Sequence, residues 1–265
     1  MAVIRYLRLY LYFMRFSFSR AMEFRFDFVF RIFMDIIYYT VNIVFYQVLF
    51  RHMTTLSGWT EPQVMVFVAV FLLVDAFQMC LFSNNLFFFP MLINKGDLDY
   101  YLVRPVSTLF FVSLREFAVN SFFNVLIAIG ILVWTLLRFP EPVTLARVLL
   151  LVFGVGCGTL VFYLVRMVLL IPVFWLHTSR GLDAIFWSLT RAKERPDGIF
   201  TGWVRVVFTS VLPFSLMASF PARLFLDPEN AIGTGFQLCV VIAIFSTLLL
   251  TLWRLGLKSY SSASS

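Results

Sequence analysis

Ionisable side chains recur inside the apolar runs of this sequence, and their spacing follows a helix. Arg20, Glu23, Asp27, Arg31, Asp35, Tyr38 and Asn42 share one stripe at steps of three and four residues. Asp27 with Arg31, and Arg31 with Asp35, are opposite charges four apart that can neutralise each other. Glu116, Asn120 and Asn124 form a second stripe beside Arg115, while Asp75 and Arg166 stand in two further apolar runs. Charge at such positions is costly, so it marks either pairs that lock packed helices or a polar path for substrate or protons. The two signs occur in similar number, which favours locking near one end of a bundle; a proton relay calls for carboxylates without neighbouring arginines. Catalytic signatures are missing: there is no GxxxxGK[ST], HExxH or GxSxG, and no Ser/His/Asp grouping. Cys80, Cys157 and Cys239 are far apart, and His52 and His177 lack partners at ligand spacing, so no metal site is expected.

These groups sit in a chain that water cannot easily hold. Of 265 residues, 61% are hydrophobic and only 13% charged, with 34 phenylalanines; mean hydropathy is +0.91. Soluble domains are about 45–50% apolar and about 25% charged. The composition excludes a water-soluble enzyme and a disordered chain, and it implies an all-α integral membrane protein.

Six apolar stretches of spanning length are read at about 27–50, 62–82, 107–137, 144–176, 199–220 and 235–254. Pro172 is placed to break the fourth, and Arg205 and Pro213 weaken the fifth. Gly154 and Gly158, one turn apart in the fourth, suit close helix–helix approach rather than a phosphate loop. Residues 3–24 mix Arg with Tyr, Phe and Leu, as in an amphipathic helix lying among headgroups; the plainer alternative extends the first span. The organisation is thus 1–26 as an elbow region, 27–256 as a six-helix membrane domain and 257–265 as a polar tail. The start of the chain lacks the pattern of a cleavable signal.

The formal net charge is +7. In this setting it orients spans and does not imply nucleic acid. With the N-terminus inside, all of the 21 Lys and Arg residues except Arg51, Arg138, Arg147 and Arg223 fall on the cytoplasmic side. Both termini are therefore expected in the cytoplasm, with residues 177–198 a cytoplasmic connection.

The connection after the second span carries the most specific pattern: Lys95, Gly96, Asp97, Leu98, Asp99, Tyr100, Tyr101, Leu102, Val103, Arg104, Pro105. Gly96 breaks one helix, Asp97 can cap the next, Leu98, Tyr101 and Leu102 give it an apolar face, and Pro105 ends it. Such a peg is either an interfacial elbow between spans or a knob for a soluble partner.

The run KGDLDYYLVRPVS resembles the coupling-helix region of permeases of type-2 ATP-binding-cassette (ABC) exporters. The amphipathic start, the six spans and the proline-containing PARLFLDPENAIG before the last span fit the same architecture. The resemblance implies a permease that pairs with a second permease chain, identical or paralogous, in a cell inner membrane. It implies that Lys95 to Leu102, with Arg104 and Pro105, dock on a cytoplasmic ABC ATPase dimer. That dimer would carry the ATP and Mg; no cofactor is expected on this chain. Export of a small or amphipathic substrate follows from the resemblance. The alternative is a proton-coupled transporter or intramembrane enzyme using Asp75, Glu116 and the Asp27–Arg31–Asp35 stripe. A purely structural scaffold is a third reading.

Overall fold

A computed structural model describes residues 2–21, 25–178 and 180–261, and the account below is of these. They form helices, with a lone antiparallel bridge between Leu56 and Trp59 and no strand. The elbow region is α1 (Ala2–Ala21), followed by α2 (Arg25–Phe50). The next passage is α3 (Glu61–Gln78), a π turn at Met79–Ser83, and α4 (Asn84–Asn94). Short α5 (Asp99–Leu102) and α6 (Thr108–Leu114) lead to α7 (Val119–Leu137). Then come α8 (Leu145–Leu170), α9 (Val173–Leu176), α10 (Arg180–Thr190), α11 (Gly202–Val206), α12 (Ser219–Leu226) and α13 (Ala231–Ser259).

Five of the described helical stretches are long and apolar enough to cross a membrane: 28–50, 61–94, 119–137, 145–176 and 228–259. The second is central, with 72% of its most apolar window buried, whereas the 28–50 stretch is peripheral with 6%. At 34 residues and ~1.5 Å per residue, 61–94 extends ~51 Å, well beyond a hydrocarbon core of about 30 Å. Its entry is fixed by Pro62 in the first turn and by Gln63, whose Oε1 accepts from the Thr60 N–H at 2.9 Å. As expected, the fourth stretch breaks at Ile171–Pro172, where proline cannot donate to the ladder.

Two expectations are corrected. The stretch 107–137 is not one helix: residues 115–118 separate α6 from α7, so Glu116 lies outside the helical stripe it was assigned to. The break is held by α4. Asn85 Nδ2 donates to the Glu116 carbonyl at 2.7 Å, Asn85 Oδ1 accepts from its N–H at 2.8 Å, and Ala118 N–H donates to Cys80 O at 3.0 Å. The π turn, which unwinds the local ladder, supplies that Cys80 carbonyl.

The stretch 199–220 is not one helix of spanning length either. α11 continues as a π turn to Val211 and stops at Leu212–Pro213, because a proline lacks the N–H and disfavours α geometry in the residue before it. A 3₁₀ turn at Ser215–Met217 and α12 then pack back against α8. Gly154 and Gly158 make this possible. A Cβ on Gly154 would stand 2.9 Å from the Pro221 Cα, and one on Gly158 would strike the Met217 carbonyl oxygen. The expected close approach is thus found, between α8 and this re-entrant turn.

Gly158→Ala is expected to lower stability by about 1–3 kcal/mol through overpacking. Gly156→Ala, with open space around its Cβ, is expected to be neutral or slightly stabilising. Thermal unfolding of both variants in detergent checks this; equal effects would refute the packing role.

Candidate functional site: the Lys95–Pro105 turn and the polar clusters

The turn begins where α4 leaves the bundle. Gly96 adopts φ +77°, a left-handed conformation that a side chain resists, and this reverses the chain. Leu98 N–H then bonds back to Leu92 O at 3.2 Å. Leu98 is the residue that leads into α5, so Asp97 does not cap it; Asp97 instead lines a cavity of about 290 Å³ with Lys95 and Arg115. The apolar face drawn from sequence is divided. Leu98 and Tyr101 are buried against the bundle, while Leu102 turns outward with Tyr100 and Val103, which are 69% and 83% exposed. Val103, though part of the quoted run, has no role there by pattern, since one residue past a single helical turn has no periodicity to betray it.

Tyr101 is the anchor. Arg115 donates to its hydroxyl and stacks over its ring at 5.5 Å, and Arg104 lies 5.9 Å from the same ring and 5.1 Å from Phe111. The elbow helix clamps the far side of the turn. Arg5 Nη2 donates to Pro105 O at 2.7 Å, the Tyr6 hydroxyl accepts from Ser107 N–H at 3.1 Å, and Phe13 packs edge-on to Phe111. Farther along, Ser17 Oγ accepts from Phe117 N–H at 3.2 Å. The other chain end approaches too: Tyr260 lies by Phe174 and faces the acidic start of the turn. Burial first, then the Asp99 and Asp97 charges, pushes its phenol up to about 12. The turn, the elbow helix and the last helix end are therefore one mechanical unit.

The intramembrane residues of the two stripes, with Asp75 and Arg166, fall into several separate contacts. Asp75 pairs with Lys193 at 2.8 Å, and the ammonium lies 5.5 Å from the Phe162 ring. Asn124 donates to Asp35, which is within electrostatic reach of Arg31 and Asp75. Glu116 joins Asn85 through its backbone, and Arg115 belongs to the turn. Arg166 is buried between Phe186 and Trp187, at 5.2 and 4.9 Å, with Nε and Nη1 lacking a hydrogen-bond partner among the described residues. Glu23 and the side chain of Asp27 lie outside the described residues.

The connection 177–198, expected on the cytoplasmic side, packs in part into the bundle, with Thr190, Lys193 and Asp197 buried. It leaves from the α4 end, where Asn94 Nδ2 donates to His177 O at 3.1 Å, and reaches Ser57 in the α2–α3 loop at the opposite end, beside Gly198. On the way Glu194 accepts from the Tyr38 hydroxyl on Oε1 at 3.2 Å and from the Tyr46 hydroxyl on its carbonyl. Asp197, only 1% exposed, receives Arg223 on both oxygens at 2.7 Å and Arg205 at 3.2 Å; its N–H donates to Ser219 Oγ. Spacing could not reveal these partners, because each pair joins segments that are separate in sequence.

Among the described residues no three His, Cys, Asp or Glu side chains are grouped to hold a metal ion. The arrangement is that of a polytopic membrane protein whose one projecting turn is braced by both chain ends. A family model described as ABC-2 family transporter protein matches residues 36–264, and the chain belongs to that family. The family is a membrane component of ABC transporters, which makes this chain a permease-type component. Neither a curated protein nor a solved structure matches it.

Asp197→Ala removes the acceptor shared by two partly exposed arginines and is expected to cost about 1–3 kcal/mol, whereas Asp197→Asn keeps the side-chain shape and one acceptor oxygen and costs less. Unfolding of both variants in detergent checks the order, and equal stability of Asp197→Ala and wild type would contradict it.

Proposed function

We propose that this chain is the permease subunit of an ABC exporter, driven by ATP hydrolysis on a separate ATPase dimer. The observation that carries the reading is the division of the Lys95–Pro105 turn: Leu98 and Tyr101 fix it to the bundle, and Tyr100, Leu102 and Val103 are presented outward. Exposed aromatic and aliphatic side chains on a braced turn suit the centre of a protein interface. The brace to α1 lets motion of the docked subunit pass to the bundle as a rigid-body movement.

Six passages fit the chain path, with residues 180–199 serving as a broken fifth and both termini at the end that bears the turn. That end is cytoplasmic by the charge rule and would face the ATPase. A second permease chain, identical or paralogous, would cover α2, whose apolar face is little buried within one chain. The membrane is a cell inner membrane in this reading. Cargo would travel between the two permeases, and the aromatic surfaces suit a small or amphipathic molecule. The pairing of Asp75 with Lys193 supports a structural role for that carboxylate rather than proton carriage.

Replacing Tyr100 and Val103 together by serine is expected to cost about 2 kcal/mol or more of ATPase affinity while leaving membrane insertion intact. Co-purification with the ATPase and permease-dependent ATP hydrolysis in proteoliposomes measure this. Unchanged recovery and unchanged hydrolysis would refute the docking role.

A further inference from the structure

Beside the turn, between α1, the start of α2 and the α6–α7 break, lies a groove of about 730 Å³, within the roughly 300–1,000 Å³ range of small-molecule sites. Among the described residues its charged lining is Arg31, Arg104, Arg115 and Glu116. Its walls are aromatic, with Phe16 and Phe88 at the rim, 70% and 40% exposed. We propose that this groove binds the phosphate of an acidic membrane phospholipid.

Three observations converge on that ligand. First, Arg104 and Arg115 are exposed guanidiniums with donors to spare. One N–H of Arg104 goes to Tyr100 O at 3.2 Å and one of Arg115 to the Tyr101 hydroxyl. Among the described residues neither makes an ion pair with a carboxylate. A guanidinium has five N–H donors in a fork that matches phosphate oxygens. Second, Arg104 and Arg115, both lining the groove, favour an acidic lipid. The cationic group of a zwitterionic headgroup would be brought toward these two arginines, whereas an anionic headgroup neutralises them. Third, the groove opens beside the outward face of α1, where Leu7, Leu11, Tyr12 and Phe16 are exposed. This apolar face gives acyl chains a track away from the headgroup. The basic band continues along α1, where Arg5 and Arg8 line a neighbouring cavity of about 390 Å³. Since Arg104 lies on the turn and Arg5 holds Pro105, the bound lipid would steady the turn against the elbow helix.

Purified protein, reconstituted in nanodiscs of equal parts phosphatidylglycerol and phosphatidylcholine and released for native mass spectrometry, reads the retained lipid. Wild type is expected to keep phosphatidylglycerol in preference to phosphatidylcholine. Arg104→Gln with Arg115→Gln is expected to lose that preference by more than about tenfold, one charge-assisted contact alone accounting for about tenfold. Arg51→Gln with Arg138→Gln, at the opposite end, is expected to keep it. Should the double variant not fold, Arg104→Gln alone, which leaves the Tyr101 anchor in place, gives the same reading in smaller degree. Equal retention by the groove variant and wild type, or no preference between the two lipids, overturns the site. Displacement of the lipid by an equal concentration of glycerol 3-phosphate assigns the groove to soluble phosphates and overturns the lipid.

Discussion

Inside a bilayer a backbone group released from a helix has no water to turn to, so each break must be satisfied by the protein itself. The breaks in this chain obey that constraint. The π turn at Met79–Ser83 and the interruption at 115–118 meet each other: Ala118 N–H finds Cys80 O, and the Asn85 amide closes on both backbone groups of Glu116. The long central passage is thereby tied to the start of α7. Everything at that end takes its position from this tie, including α6, the elbow helix packed on it and the turn at Lys95–Pro105.

A second tie operates at the other end. Residues 193–198 bring Lys193 to Asp75 and Asp197 to Arg205 and Arg223. In low dielectric such pairs are sensitive to geometry, and removing one partner leaves an uncompensated charge. They hold the broken passage and the re-entrant turn against α3 and α8, where Gly154 and Gly158 leave room for backbone contact. The bundle is thus stitched firmly at both ends around a central helix. Its peripheral α2 is left with apolar side chains for lipid or another chain.

Much of this was legible in the residues. Composition alone gave a membrane bundle, run length gave four of the spanning-length stretches, the mixture of Arg with aromatics gave a helix at the start, Pro172 marked the break in the fourth stretch, and Gly96 marked the reversal before the turn. What the sequence concealed is tertiary. Glu116 fits a helical stripe with Asn120 and Asn124 until Asn85, thirty-one residues away, captures its backbone. Residues 177–198 carry enough charge to resemble a surface loop, and only the partners Asp75, Arg205 and Arg223 make their burial tolerable. The apolar run at 199–220 has the length of a span, yet Pro213 turns it back. Within the turn, periodicity over four residues set Tyr101 apart from Tyr100 but grouped Leu102 with Leu98 and Tyr101, although Leu102 is presented outward.

The most direct test of the central claim is a cysteine at position 103, in a background without Cys80, Cys157 and Cys239, cross-linked in native membranes with a short bifunctional maleimide. The account predicts that the linkage captures a nucleotide-binding subunit and that this partner shields the cysteine from a water-soluble thiol reagent. Labelling at full rate with the complete transporter assembled, and no cross-link to a nucleotide-binding subunit, would contradict it.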